Sequence, residues 1–411
     1  MSQEKRAPSV EPTRVLYVYH GSAGIAGAYL HAIAKAISTA PALECHLATN
    51  HYWAFEKGDH VTPVFFRLTE NTDRNRHLRL AGSPPQRLAL RYVELALGYA
   101  KLVPYLVRER IDVVNLSVID DELPTLLFAR AVKLLGKRLV VTAHDVVFQG
   151  PRNSPSRRRS VFKLADQFVV HYRHVQRELE RRVGVPRERI FVQPFPWADI
   201  TPVIDPAKLR HHLDTFKAEL KPYSRVFLVP GVLRPEKGIE TLVHAWRNAR
   251  FPAKERCALV IAGKGTPGID MKRAVTDLAN VTLIERYLTS EEFWALLKLA
   301  HVVVLPYAVD WYAHSSVALL AFLAEKPLVA SRIPLFETLV QPDTGLLHEP
   351  RDVASLTRAL EQAARLDADT LATMGRTARE RLVSGWGELP EALAALYREG
   401  ADGIVGGSGS C

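Results

Sequence analysis

The chain has 411 residues, more than one hydrophobic core usually supports, so two domains are expected. Apolar residues make up 47% and charged residues 24%, and no apolar run approaches the roughly eighteen residues of a membrane span, which excludes disordered and membrane-spanning classes. The net charge of +10 lies entirely in residues 1–200, where 29 Lys and Arg face 19 Asp and Glu, while residues 201–411 hold 25 of each.

Met1 to Arg14 is polar and lacks the apolar stretch of a signal peptide. Val15 to Tyr19 reads as a buried strand, His20 to Gly24 as a turn, and Ala28 to Ile37 as a helix. Cys45, Cys257 and Cys411 stand far apart, with neither metal nor disulfide spacing, which suits a reducing cytoplasm. Leu88, Tyr92, Leu95, Tyr99, Leu102 and Leu106 form one helical stripe. Val113 to Leu116, Leu139 to Thr142 and Gln167 to Val170 are further strands. Continuous apolar strands alternating with helices predict a parallel sheet covered on both faces.

The pattern then restarts. Pro194, Pro196, Pro202 and Pro206 mark a boundary. Val226 to Val229, Ala258 to Ile261, Val302 to Leu305 and Leu328 to Ala330 are strands, with a helix near Glu240 to Asn248. Thr289 to Glu292 reads as a capping box. Two successive doubly wound domains follow. Their expected limits are 1–202 and 203–385, with a last helix over 386–400 and a flexible tail over 401–411.

Gly231-Val232-Leu233-Arg234-Pro235-Glu236-Lys237-Gly238 directly follows a strand. Glycine lets a backbone approach a ligand closely, and Arg234 and Lys237 put two cations on one loop, where a diphosphate could be clamped. A plain basic surface loop is the alternative. Further on, Ser315-Ser316 opens an apolar helix from Val317 to Leu323. A small-residue helix N-terminus at a sheet's C-terminal edge is an anion site, unless Ser315 is only an N-cap.

Gly231 to Gly238, Ala262-Gly263-Lys264-Gly265, Leu305-Pro306-Tyr307, Ser315-Ser316, Pro327 to Ala330 and Thr344 to Leu347 occur in that order. This series resembles the donor-binding half of the group 1 glycosyltransferases, glycosyltransferase family 4, with the GT-B fold. Trp386 before a final helix also resembles that family, whose last helix crosses back to the N-terminal domain. The resemblance is looser over 10–200, where His20-Gly21, His144-Asp145 and Val169-Val170-His171 still fit. It implies a nucleotide-sugar donor, a UDP- or GDP-sugar, on Gly231, Arg234, Lys237, Gly263, Ser315, Ser316 and Val317. It implies that His144 touches the transferred sugar and that His20 and Gly21 line the acceptor side, where Asp120 is also placed; Asp145, Asp120 and Asp121 are candidates for a base, if one is needed. His20 could instead cap a helix or lie on the surface, and Asp120 and Asp121 could be solvated loop carboxylates. Aligned through Pro327, the family's Glu-x7-Glu positions fall on Tyr312 and Leu320, so both glutamates are absent.

The expected reaction passes a hexosyl group, with retention, to a hydroxyl of a glycan or lipid-linked saccharide in cell-surface polysaccharide synthesis. No metal is expected to be required. An epimerase on the same fold, or a catalytically silent binding protein, are the competing readings. The basic excess concentrates in Arg67, Arg74, Arg76, Arg79, Arg87 and Arg91 and in Arg152, Arg157, Arg158 and Arg159. Leucines interleave the first cluster, which suits an anionic surface at the inner face of a membrane. No base-stacking aromatic motif accompanies the arginines, so nucleic acid is not expected.

Overall fold

The computed structural model describes residues 11–21, 24–55, 60–69, 84–117, 123–144, 146, 155–193, 204–253, 255–266, 270–308, 314–384 and 389–399. The chain divides into two compact units, 1–200 with 386–411, and 201–385.

The first unit holds β1 (Thr13–Val18), α1 (Gly24–Ser38), β2 (Leu43–Asn50), β3 (Val61–Phe65), α2 (Pro84–Arg108), β4 (Val113–Leu116) and α3 (Leu123–Leu134). It continues with β5 (Arg138–Thr142), α4 (Pro155–Leu164), β6 (Gln167–Val170), α5 (Arg173–Val183) and β7 (Ile190–Val192). The strands form one parallel sheet in the order β3-β2-β1-β4-β5-β6-β7. Val113 to Leu116 and Gln167 to Val170 are buried throughout, because helices cover both faces of a parallel sheet. The α2 stripe is only partly internal. Leu95, Tyr99, Leu102 and Leu106 are buried, but Leu88 and Tyr92 are exposed, because the helix starts well before its packed segment.

The second unit contains α6 (Pro206–Leu220), β8 (Arg225–Pro230), α7 (Ile239–Asn248), β9 (Cys257–Ala262), α8 (Met271–Val275), β10 (Val281–Ile284) and α9 (Ser290–Leu299). Then come β11 (Val302–Leu305), α10 (Ser316–Leu323), β12 (Leu328–Ser331), α11 (Pro334–Leu339), β13 (Gly345–His348), α12 (Val353–Arg365) and α13 (Ala368–Ser384). The parallel sheet runs β10-β9-β8-β11-β12-β13. Its core gathers Phe227, Leu259, Ile261 and Val304 from the strands with Leu242, Trp246 and Leu360 from α7 and α12. The capping box at α9 forms as the sequence suggests: Glu292 N donates to Thr289 Oγ1 at 3.2 Å and Thr289 N to Glu292 Oε2 at 2.8 Å. Arg286 grips the same carboxylate and holds its pKa down to about 2.

Helix α14 (Leu389–Glu399) packs on β1 and α1 of the first unit. The buried Tyr397 Oη lies 2.6 Å from Tyr17 Oη and accepts from Asn115 Nδ2 at 2.8 Å. Arg138 donates to the Tyr397 carbonyl. Trp386 and residues 400–411 lie outside the described residues.

Candidate functional site

In each sheet the strand order reverses between two neighbours, β1 and β4 in the first, β8 and β11 in the second. Open parallel sheets bind ligands beyond the C-terminal ends of the strands at such points, because the following loops diverge there.

In the second unit this point is built of glycine. Gly231 follows β8 with φ +100°, a conformation that a side chain disfavours. A Cβ on Gly231 would lie 3.3 Å from both Lys237 Nζ and Val317 Cγ2, so three of the predicted donor residues meet here. A Cβ on Gly263 would overlap the Gly231 carbonyl oxygen at 1.8 Å. Leu233 N donates to Lys264 O at 2.8 Å, tying the β8 and β9 loops together. Gly238, at φ +66°, lies against the Pro306 carbonyl, and Ala308 N donates to Glu236 O at 2.7 Å, which clasps the loops after β8 and β11.

Lys237 is only 6% exposed, its ammonium 5.3 Å from the Tyr307 ring centroid. Among the described residues no carboxylate lies within ion-pair distance of it. Arg234 is half-exposed and leans toward Glu236, Nε to Oε1 3.6 Å, so its charge is partly answered inside the loop. Ser315 is the N-cap of α10: its Oγ accepts from Ala318 N at 3.2 Å and lies 3.0 Å from Tyr307 Oη. Its hydroxyl is therefore committed to capping, and the backbone N–H groups of Ser316 and Val317 are what the helix start can offer an anion. Burial pushes the neighbouring His314 down to about 4, so it is neutral at pH 7. Tyr312 lies outside the described residues, and Leu320 is buried in α10.

The first unit's strand ends carry rings. His144 after β5, His171 after β6 and Tyr29 of α1 meet with centroids 5.2 to 5.3 Å apart. His171 Nδ1 donates to Gln193 O at 3.0 Å, which fixes that tautomer. Burial raises the Tyr29 phenol far above its usual range, so it stays protonated. Sequence reasoning gave a role to His144, noted His171 only as a strand end and missed Tyr29. The available signal was that both histidines follow a buried strand within two residues. His20 is neither a surface nor a capping residue. It is 5% exposed, its Nε2 is 2.8 Å from Tyr99 Oη, and Phe65, Phe66 and Tyr99 surround its ring. Gly21 lies against Tyr19, where a Cβ would meet the phenol oxygen at 2.2 Å. Asp120, Asp121 and Asp145 lie outside the described residues. At the opposite edge of this sheet, Glu44, His46 and His60 converge with atoms suited to a metal, but Glu44 is engaged there by Arg14 at 3.1 Å and by His46 at 2.8 Å.

Two family models match along the chain. Residues 48–195 match Glycosyltransferase Family 4, and residues 224–365 match Glycosyl transferases group 1. The chain belongs to the group 1, family 4 glycosyltransferases. No curated protein sequence matches it. The fold of this glycosyltransferase is GT-B, two Rossmann-like parallel-sheet units. It is similar to sucrose-phosphate synthase from Thermosynechococcus elongatus, with TM-score 0.64, 18% identity and coverage of 94% of this chain and 98% of that one. HepE from Anabaena, solved in complex with UDP and glucose, gives TM-score 0.62 and 18% identity, covering 93% of this chain and 100% of the other. A putative UDP-N-acetylglucosamine 2-epimerase from Listeria monocytogenes gives 0.58 and 15%, covering 96% and 98%.

Proposed function

We propose that this glycosyltransferase moves a hexosyl group from a UDP- or GDP-sugar to a hydroxyl of a glycan or lipid-linked saccharide. The transfer would retain configuration and serve cell-surface polysaccharide synthesis in the cytoplasm, at the inner face of the membrane. The observation that carries the donor side is the largely buried Lys237, whose ammonium lies beside Gly231, itself against Val317 at the start of α10. Burying a cation without an anion is costly, and a diphosphate would supply the missing charge. As the sugar leaves, negative charge grows on the diphosphate. Lys237, Arg234 and the N–H groups of Ser316 and Val317 would neutralise it, so the reaction would proceed without metal and chelator would not slow it. In the first unit His144 would orient the sugar, with Tyr29 and His171 holding its ring in place, and Asp145 would serve as base.

HepE, solved with UDP-glucose, supports this donor class by likeness of fold. The titration that tests it follows UDP and GDP by calorimetry. Lys237→Met should weaken the preferred nucleotide roughly 10- to 100-fold, about 1.5–3 kcal/mol for a charge-assisted bond. Unchanged affinity would move the donor elsewhere. Incubation with nucleotide-sugar but no acceptor should leave the sugar unchanged; an epimerised product would favour the epimerase.

A further inference from the structure

Helix α2 packs on α3, and α3 on α4, within the first unit. The three helices carry ten Lys and Arg and a single acid, Glu94. Glu94 is turned inward to the chain: it accepts from Leu68 N at 2.8 Å, Thr69 N at 3.0 Å and Thr69 Oγ1 at 2.5 Å. Asp166 answers Lys133, and Glu109 answers Arg108. Lys101, Arg130, Arg157, Arg159 and Lys163 are exposed on the same layer.

The same helices also hold most of the exposed apolar surface. Eleven large apolar side chains are exposed among the described residues, and eight of them belong to α2 and α3. Leu88, Val93 and Leu97 lie on α2, and Leu123, Leu127 and Leu134 on α3, where Leu134 is 88% exposed. Between the two helices runs a groove of about 310 Å³, lined by Ala96, Ala100, Val103, Leu123, Leu127 and Ala131. Solvated helices seldom place leucines in rows on their outer face, and a patch of this kind marks a surface that meets something apolar. Among the described residues no helix is long and apolar enough to cross a membrane.

We propose that the α2–α3–α4 layer is the face by which this glycosyltransferase lies on an anionic lipid surface, its leucines entering the acyl boundary and its arginines and lysines contacting the headgroups. Charge decides between the candidate occupants. A second copy seated on this face would bring two cationic layers together, which is repulsive. A lipid surface answers both the apolar rows and the cations. The inference deepens the lipid-linked acceptor proposed above and is independent of the donor site.

The test uses the full chain, sedimented with phosphatidylcholine vesicles with and without phosphatidylglycerol. Binding should require the anionic lipid and fall as salt rises. Arg157→Ser with Arg159→Ser should lower it about thirtyfold at low salt, from about 1 kcal/mol per cation. Leu97→Ser with Leu127→Ser should lower it about tenfold or more at any salt. Both pairs are exposed, and the thermal shift produced by UDP should match that of the unaltered chain. Equal partitioning onto neutral vesicles, or no partitioning, overturns the proposal. So does a dimer in light scattering that the leucine pair dissolves while vesicle binding persists, which would make this face an interface between copies. Failure of every protein to bind either UDP or GDP, with vesicle binding intact, would sink the donor reading and leave this one standing.

Discussion

In the second unit, the loops after β8 and β9 are built of glycine around the largely buried Lys237, and a Cβ at Gly231, Gly238 or Gly263 would press on neighbouring atoms. In the first unit, the ends of β1, β5 and β6 are filled by the rings of His20, His144, His171 and Tyr29. The two sheets share a parallel, doubly wound arrangement, so topology does not make this difference. Side-chain volume does. Bare backbone beside a largely buried lysine is suited to a compact, highly charged group. Rings that offer edges and single nitrogens are suited to an uncharged, hydroxyl-rich one.

The sharpest way to break this contrast is to fill the glycine wall. Gly238→Ala puts a Cβ 1.9 Å from the Pro306 oxygen at a positive φ, so the loops after β8 and β11 must separate. Overpacking and backbone strain together should cost about 3 kcal/mol of stability and abolish nucleotide binding. A variant that melts like the parent and still binds UDP would show that the clasp is not needed.

The ring cluster should respond differently. His144→Ala should lower turnover about 10- to 100-fold while leaving affinity for the free nucleoside diphosphate unchanged, since it packs with Tyr29 and His171 at the first unit's strand ends and the diphosphate is assigned to the second unit. Equal loss of both parameters, or loss of folded protein, would make it a packing residue.

The smallest effect is a pH dependence of the second unit. Burial pushes His301 and His314, both in the second unit, down to about 4 from 6.5. Their folded pKa lies below the unfolded one, so the unfolded chain takes up more protons in between. Their stabilisation is complete above about pH 6.5 and lost as pH falls toward 4. His301 is only partly buried, so its share should be on the order of 1 kcal/mol by about pH 5. His301 Nδ1 accepts from Val226 N at 3.0 Å, and His301→Asn should flatten the fall of the melting temperature between neutral and about pH 5. An unchanged slope would assign the acid sensitivity to other groups.

The fold was legible because buried parallel strands announce themselves as apolar runs, and Val113 to Leu116 or Val302 to Leu305 can hardly be read otherwise. The glycine wall was legible because Gly231 and Gly263 follow such runs directly and Gly238 closes the loop that Gly231 opens. Three things were not. The Tyr29, His144 and His171 cluster joins an α1 residue to two distant strand ends, and no local spacing encodes that. The placement of Ser315 against Tyr307 depends on the path of a loop between them. The exposure of Leu88 and Tyr92 is invisible to periodicity, which reports a stripe but not how much of it is covered.

Tyr397 has a consequence for how the molecule is made. Its hydroxyl meets Tyr17 and Asn115, so the first unit takes one of its buried pieces from the far end of the chain. On the ribosome, residues 201–385 are all synthesised before Tyr397. The half that begins translation first is therefore the half that finishes last. Until the last helix is released, the nascent sheet around β1 and β4 stands open at Tyr17 and Asn115. A fragment ending near residue 200 would remain in that unfinished state.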